Sequence, residues 1–283
     1  MPPAVYRLRL PDGTIRLARG DSLVGPQDLL PPGVDVDHIL GEGSPVAALE
    51  APVEGPVPHG ARVLAPVQSQ EVWAAGVTYL RSREARVEEA EDRTPYDLVY
   101  EAERPELFFK SPGWRVRGPG EPIAVRADSD WNTPEPELVL VLDSYMRMAA
   151  YTIGNDVSSR SIEGANPLYL PQAKVYDGAT ALGPCLVPAE VVEPPFQITM
   201  EIFRDGETAF AGETSTSRMK RSFEDLATWL GRALTFPVGA VLLTGTGIVP
   251  EVEFTLLPGD VVRIAVAGLG ALENRVLVMS EEG

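Results

Sequence analysis

Glu135-Pro136-Glu137-Leu138-Val139-Leu140-Val141-Leu142 is the stretch from which the fold is read. The apolar run 138–142 reads as a buried strand. Residues i and i+2 of a strand share a face, so Glu135 and Glu137 project side by side from its start. Buried carboxylates are costly unless a cation or a proton neutralises them. Asp156 follows a second apolar stretch, Tyr151-Thr152-Ile153-Gly154, and so places another acid at the end of a core strand. His38 and His59 are the only histidines, and Cys185 is the only cysteine. Oxygen-only ligation favours a hard ion, Mg²⁺ or else Ca²⁺ or Mn²⁺, over Zn²⁺. Glu135, Glu137 and Asp156 are therefore the expected metal ligands. Such an ion would act as a Lewis acid on a 2-oxo acid, chelated through its carboxylate and keto oxygens. The competing reading is strand-edge charge in ordinary ion pairs.

Around this run, strands are expected at 71–76, 107–110, 122–126, 150–153, 197–203, 241–244, 260–267 and 272–279. Asp12-Gly13, between alternating runs at 5–10 and 14–18, predicts a hairpin, and Asp205-Gly206 a second one. A helix is expected over 79–103, broken or kinked at Pro95. Another is expected over 223–234, where Ser222 and Asp225 resemble a capping box. Strands and helices do not alternate as in a doubly wound sheet. The pattern predicts a β-rich α+β fold, with a small, mostly β N-terminal region at 1–62 and a main domain at 63–283.

The length of 283 residues is ample for a sizeable core. The formal net charge of −17 argues against nucleic acid and anionic membranes as partners. No stretch of eighteen apolar residues suggests a membrane span. Met1-Pro2-Pro3-Ala4-Val5-Tyr6-Arg7 lacks a secretory pattern, and a single cysteine fits a reducing compartment, so a cytoplasmic location is expected.

Lysine is scarce: Lys110, Lys174 and Lys220 stand against twenty-one arginines. Two of the three sit in strand-like surroundings, which makes their placement informative. A lysine beside a bound cation is pushed toward its neutral form and can act as a base. That is the reading for Lys174; the competing one is a salt bridge to Asp177 or Glu163. Lys110 reads either as a buried cation facing an anionic substrate or as a snorkelling strand-end residue. In Thr244-Gly245-Thr246-Gly247, glycine lets backbone approach a ligand and threonine supplies a donor, although a tight turn explains the same pattern. Cys185 reads as a packed core residue.

Taken in order, these segments resemble the fumarylacetoacetate hydrolase family. They are Leu107-Phe108-Phe109-Lys110, Glu135-x-Glu137 before a strand, Gly154-Asn155-Asp156-Val157-Ser158-Ser159-Arg160, Lys174-Val175-Tyr176-Asp177, Leu182-Gly183-Pro184 and Thr244-Gly245-Thr246. The resemblance spans roughly residues 73–280. It implies a mixed β-sandwich roll, a divalent ion and a homodimer or higher homo-oligomer. It also implies that Glu135, Glu137 and Asp156 hold the metal, Lys174 lies beside a small 2-oxo acid substrate, and Thr246 holds the substrate carboxylate.

One segment departs from the family pattern. Hydrolases of the family carry Gly-x-Asn-Tyr-x-x-His-x-x-Glu, whose His and Glu activate water. Here Gly76-Val77-Thr78-Tyr79-Leu80-Arg81-Ser82-Arg83-Glu84-Ala85 puts Ser82 and Ala85 in those places. The chain is more similar to family members that dehydrate 2-keto-3-deoxy sugar acids. This likeness implies metal-dependent conversion of a 2-keto-3-deoxy pentonate to 2,5-dioxopentanoate. Lys174 or Glu84 would be the base, and Ser82, Arg81 or Arg83 would aid the leaving hydroxide. Gly245, Thr246, Arg81, Arg83 and Lys110 would contact substrate. The alternatives are an acylpyruvate- or fumarylacetoacetate-type C–C hydrolase, a 2-oxo acid decarboxylase or isomerase, and a non-catalytic small-molecule-binding member.

Overall fold

The computed structural model describes residues 1–42, 44–80 and 95–279. In chain order the N-terminal region forms β1 (Pro3–Arg9), β2 (Ile15–Asp21), β3 (Gly25–Leu29), α1 (Val36–Gly41), α2 (Pro45–Glu50), β4 (Gly55–Pro56) and β5 (Arg62–Val63). Next come β6 (Glu71–Gly76), α3 (Pro95–Glu101), β7 (Glu106–Pro112), β8 (Ile123–Arg126), β9 (Asn132–Thr133), β10 (Pro136–Leu142), β11 (Met148–Asp156) and β12 (Ser158–Ser159). The chain continues through α4 (Arg160–Ala165), α5 (Leu170–Lys174), β13 (Thr180–Pro188), β14 (Gln197–Arg204), β15 (Glu207–Ser215) and α6 (Phe223–Gly231). It closes with β16 (Ala240–Leu243), β17 (Val261–Val266) and β18 (Gly270–Met279).

The expected β-rich α+β architecture is observed. One large sheet runs β4-β3-β2-β1-β13-β11-β10-β16-β6-β7, with β5 pairing β1; a second runs β15-β14-β17-β18-β8; β9 and β12 form a small ribbon. The sheets are mixed, since β16–β6 and β18–β8 are parallel. β10 is central and buried along its whole length. Leu138, Leu140 and Leu142 pack toward the second sheet, with Ile198, Met200, Ile202, Val262 and Ile264. On its other face Val139 meets Val72, Ala74, Val241 and Leu243, while Val141 meets the N-terminal Leu30, Ile39 and Leu40. Glu135 and Glu137 share the parity of Val139 and Val141.

Both Asp-Gly turns form. Asp205 and Gly206 have φ of 52° and 86°, the left-handed pair that a two-residue hairpin turn requires. β1 pairs with β13 at Val5↔Leu186, so the N-terminal strands extend the large sheet.

Several elements differ from expectation. α1 and α2 lie within residues 1–62, where a mostly β region is expected. Each is six residues long, under two turns, and Asp35 and Ser44 cap them by accepting the backbone N–H of His38 and Ala47. β13 was not expected because it contains Gly183-Pro184, and proline removes a ladder donor. The ladder steps over it: Tyr151 pairs with Val187 and Ile153 with Gly183, leaving a bulge opposite Thr152. Cys185 in that strand is a buried core residue, as expected, and burial pushes its thiol up to about 12. Lys174 ends the short helix α5 rather than standing in a strand-like setting. Pro171, in the first turn of that helix, supplies a favourable start. The late helix stops at Gly231, with Ser222 accepting from Asp225 N–H as the capping signal implied. Of the helix expected over 79–103, α3 is its Pro95–Glu101 end; residues 81–94 lie outside the described residues. Among the described residues, no helix is long and apolar enough to cross a membrane.

Candidate active site

Antiparallel pairing of β10 with β11 assembles the acids. Pro136 lies opposite Asn155 and Glu137 opposite Gly154, so Glu135 and Asp156 flank the same strand ends. Asp156 N–H donates to Glu135 O at 3.0 Å, and Glu135 N–H donates to Asn155 Oδ1 at 3.2 Å. One carboxylate oxygen from each of Glu135, Glu137 and Asp156 lies within 4.8 Å of the others. All three residues are buried.

Cations from three further elements surround them. Lys174 Nζ, at the end of α5, is 3.0 Å from Glu135 Oε2 and 3.2 Å from Asp156 Oδ2, and it donates to Ser158 Oγ. Lys110 Nζ, from β7, is 2.6 Å from Asp156 Oδ1 and donates to the carbonyls of Val157 and Lys174. Arg160, the first residue of α4, places Nη2 2.8 Å from Glu135 Oε1 and Nη1 3.0 Å from Glu163 Oε2. Ser158 Oγ donates to Glu135 Oε1 at 3.1 Å. Glu137 differs from the other two acids. Its Oε2 accepts the Gly245 N–H at 2.5 Å, but it forms no ion pair among the described residues.

The electrostatics follow from that arrangement. Burial, then the charges of Asp156 and Glu135, raise the Glu137 carboxyl well above its ordinary 4.5, while Lys174 and the Gly245 N–H pull it back. Burial lowers the Lys110 ammonium, and Lys174 lowers it further, while Asp156 and Glu135 oppose them. A buried carboxylate that no cation among the described residues pairs with, in a purely oxygen donor set, fits a divalent hard cation.

Glu135 and Asp156 line a small recess together with Gly76, Val77, Phe108, Lys174, Gly245 and Thr246, among others. Of the residues singled out from sequence, Glu135, Glu137, Asp156, Lys174, Lys110, Gly245 and Thr246 thus converge on one place. Lys174 pairs with Glu135 and Asp156; Asp177 pairs instead with Arg115, and Glu163 with Arg160. Lys110 spends its three contacts on protein acceptors. The Thr246 hydroxyl is engaged in its own turn, donating to Ile248 O and accepting from Ile248 N–H, both at 3.2 Å. Arg81, Ser82, Arg83 and Glu84 lie outside the described residues. Arg160 and Ser158 were missed, although both stand in the segment that carries Asp156. An arginine directly after two serines, closely following Asp156, was the available signal.

A family model for the C-terminal domain of fumarylacetoacetate (FAA) hydrolase matches residues 71–277. The chain is 52% identical over 213 residues to the probable 2-keto-3-deoxyxylonate dehydratase of Haloferax volcanii, covering 75% of this chain and 73% of that one. It is 43% identical over 217 residues to the 2-dehydro-3-deoxy-D-arabinonate dehydratase of Saccharolobus solfataricus, again covering 75% and 73%. A solved structure of 2-keto-3-deoxy-D-arabinonate dehydratase complexed with magnesium and 2,5-dioxopentanoate matches with a TM-score of 0.84 and 33% identity, over 98% of this chain and 99% of that one. The family match takes in β6 through most of β18, the span that supplies the three carboxylates, both buried lysines and Thr246; this chain belongs to the fumarylacetoacetate hydrolase family.

Proposed function

We propose that this chain is a hydro-lyase that converts a 2-keto-3-deoxy pentonate to 2,5-dioxopentanoate, with a divalent ion held by Glu135, Glu137 and Asp156. The observation that carries the reading is the likeness, over nearly the whole chain, to a dehydratase solved with magnesium and 2,5-dioxopentanoate. Identity of 52% and 43% to two further pentonate dehydratases supports it. Mg²⁺ is the proposed ion, and Ca²⁺ or Mn²⁺ suits the same oxygen donors. When bound, the ion polarises the C2 carbonyl of the substrate and so acidifies the protons on C3.

The chain's own residues supply the rest. Thr246, on one wall of the recess, is the proposed anchor of the substrate carboxylate, its hydroxyl turning from Ile248 O, and Gly245, whose N–H is given to Glu137, lets the backbone pass close to the substrate. Lys174 lines the same recess and is the proposed residue for removing a C3 proton, with Glu84 as the alternative base. Loss of hydroxide from C4 then needs a proton donor, a role assigned to Ser82, Arg81 or Arg83. Tautomerisation of the resulting product gives 2,5-dioxopentanoate. Lys110 supports the site by binding Asp156 and the carbonyl of Lys174. Hydrolysis of a C–C bond would instead need a base to activate water, and Ser82 and Ala85 stand where the family's hydrolases carry that pair. Residues 1–62 contribute none of these groups, and we assign them to a small N-terminal region that extends the sheet of the catalytic body at 63–283. A homodimer in the cytoplasm, acting in pentose breakdown, completes the proposal.

Purified protein given a panel of 2-keto-3-deoxy pentonates and acylpyruvates, with Mg²⁺ or with EDTA, tests this reading by mass spectrometry of the products. Loss of one water from a pentonate, only with the ion, is expected. Cleavage of acylpyruvates without pentonate turnover, or ion binding without turnover of any substrate, would overturn it.

A further inference from the structure

Thr78 has no part in the chemistry above, yet its hydroxyl is tied to the peptide that binds Glu137. The residue is buried, and its Oγ1 donates to Thr244 O at 2.6 Å. That carbonyl belongs to the same peptide unit as the Gly245 N–H, which donates to Glu137 Oε2 at 2.5 Å. A trans peptide is planar and aims its C=O and N–H in opposite directions. Thr78 therefore grips one end of this unit and Glu137 the other. Hydrogen bonds in series polarise one another, so a donor on the carbonyl strengthens the N–H bond to the carboxylate.

The surroundings show why the grip matters. Thr244 is tied to the residue after Glu137: its N–H and Oγ1 both donate to Leu138 O, at 3.2 and 2.8 Å. Beyond Thr244 the backbone is freer, because Gly245 adopts φ of 88°, a region where only glycine is at ease. A Cβ built on Gly245 would lie 2.1 Å from Thr78 Oγ1, so the threonine hydroxyl fills the space a side chain would need. Thr78 is held from behind as well, since Lys220 N–H donates to its carbonyl at 2.9 Å.

We propose that Thr78 is a positioning residue: acting through the Thr244–Gly245 peptide, it fixes the Glu137 carboxylate and so sets how tightly the chain holds a divalent ion. This rests on the reading of Glu135, Glu137 and Asp156 as metal ligands. Partners one shell removed from a metal typically change its affinity by about 10–100-fold when they are lost.

The test is direct titration of the chelator-treated protein with Mn²⁺ alone, followed by electron paramagnetic resonance of the free ion. T78V, which keeps the shape and removes the donor, is expected to weaken Mn²⁺ binding by about tenfold or more. T78S restores the donor and is expected to bind within about threefold of the parent chain on the same reasoning. T152V is the control, since it removes another buried hydroxyl-to-carbonyl bond, Thr152 Oγ1 to Gly183 O at 3.1 Å, which touches no carboxylate. It is expected to bind Mn²⁺ like the parent chain. Should T78V not fold, T78A makes the same comparison with T78S. T78V binding as tightly as the parent, or T152V losing as much affinity, would overturn the role of Thr78 alone. Failure of the parent chain to bind Mn²⁺ would overturn the metal reading and this role with it.

Discussion

Glu137→Gln separates two opposite consequences of one buried carboxylate. Glu137 has two acidic neighbours with oxygens no more than 4.8 Å away. At an effective dielectric of about 20, each contact repels by roughly 3.5 kcal/mol. Lys174, which pairs with both neighbours, cancels about half of the total, and the charge-assisted share of the Gly245 N–H bond, lost when a neutral amide accepts it, offsets about 1.5 kcal/mol. About 2 kcal/mol of net repulsion remains, borne either as charge or as the cost of holding a proton. E137Q removes it while its amide oxygen still accepts the Gly245 N–H. Metal-free E137Q should therefore unfold roughly 4–8 °C above the parent chain. The pH dependence has a definite sign. The folded state binds the Glu137 proton more tightly than the unfolded chain does. The penalty is thus missing below about the ordinary 4.5 and grows as pH rises through the raised folded value. The advantage of E137Q should accordingly be present at neutral pH and vanish near pH 4. Mg²⁺ at a hundred times its Kd should stabilise the parent by about 2.7 kcal/mol. E137Q should lose that response together with all Mg²⁺-dependent turnover. Differential scanning fluorimetry across pH, with and without Mg²⁺, reads both effects. If E137Q were less stable without metal, or still responded to Mg²⁺ and turned over, the electrostatic reasoning would be refuted.

Other substitutions address the surrounding residues. K174M should lower kcat by about 10²-fold or more with the product unchanged, as expected on losing a positioned acid or base; steady-state kinetics showing less than about a threefold change would reduce Lys174 to a salt-bridge partner. K110M strips Asp156 Oδ1 and two buried carbonyls of their donor and should cost about 3–5 kcal/mol, read from urea unfolding, with less than about 1 kcal/mol counting against a structural load on Lys110. S222A removes the side chain that accepts Asp225 N–H at the start of α6 and should cost about 1 kcal/mol in thermal unfolding without altering turnover.

Legibility in the sequence tracked how local each signal was. The run 135–142 announced both a buried strand and two acids on one face, because period-2 alternation and a five-residue apolar run are properties of adjacent residues. Asp205-Gly206 was equally plain, since its turn needs two left-handed residues and nothing from elsewhere. β13 was hidden by Pro184, whose missing donor is tolerated through a bulge in β13 opposite Thr152, a feature of the strand pairing rather than of adjacent residues. The short helices α1, α2, α4 and α5 are too brief to show a period, so the element that carries Lys174 was misread. Arg160 and Thr78 escaped notice for a related reason. Their partners, Glu135 and Thr244, lie 25 and 166 residues away, and only the sheet order brings them together.

The central claim, elimination of water rather than cleavage of a C–C bond, is tested most directly by NMR of the reaction in D₂O. The protein with Mg²⁺ is given a 2-keto-3-deoxy pentonate in one tube and an acylpyruvate in another. Elimination through a C3 carbanion predicts 2,5-dioxopentanoate from the first, with solvent deuterium in its carbon chain, and slow or no reaction in the second. Rapid release of pyruvate from the acylpyruvate, with the pentonate left intact, would contradict the account.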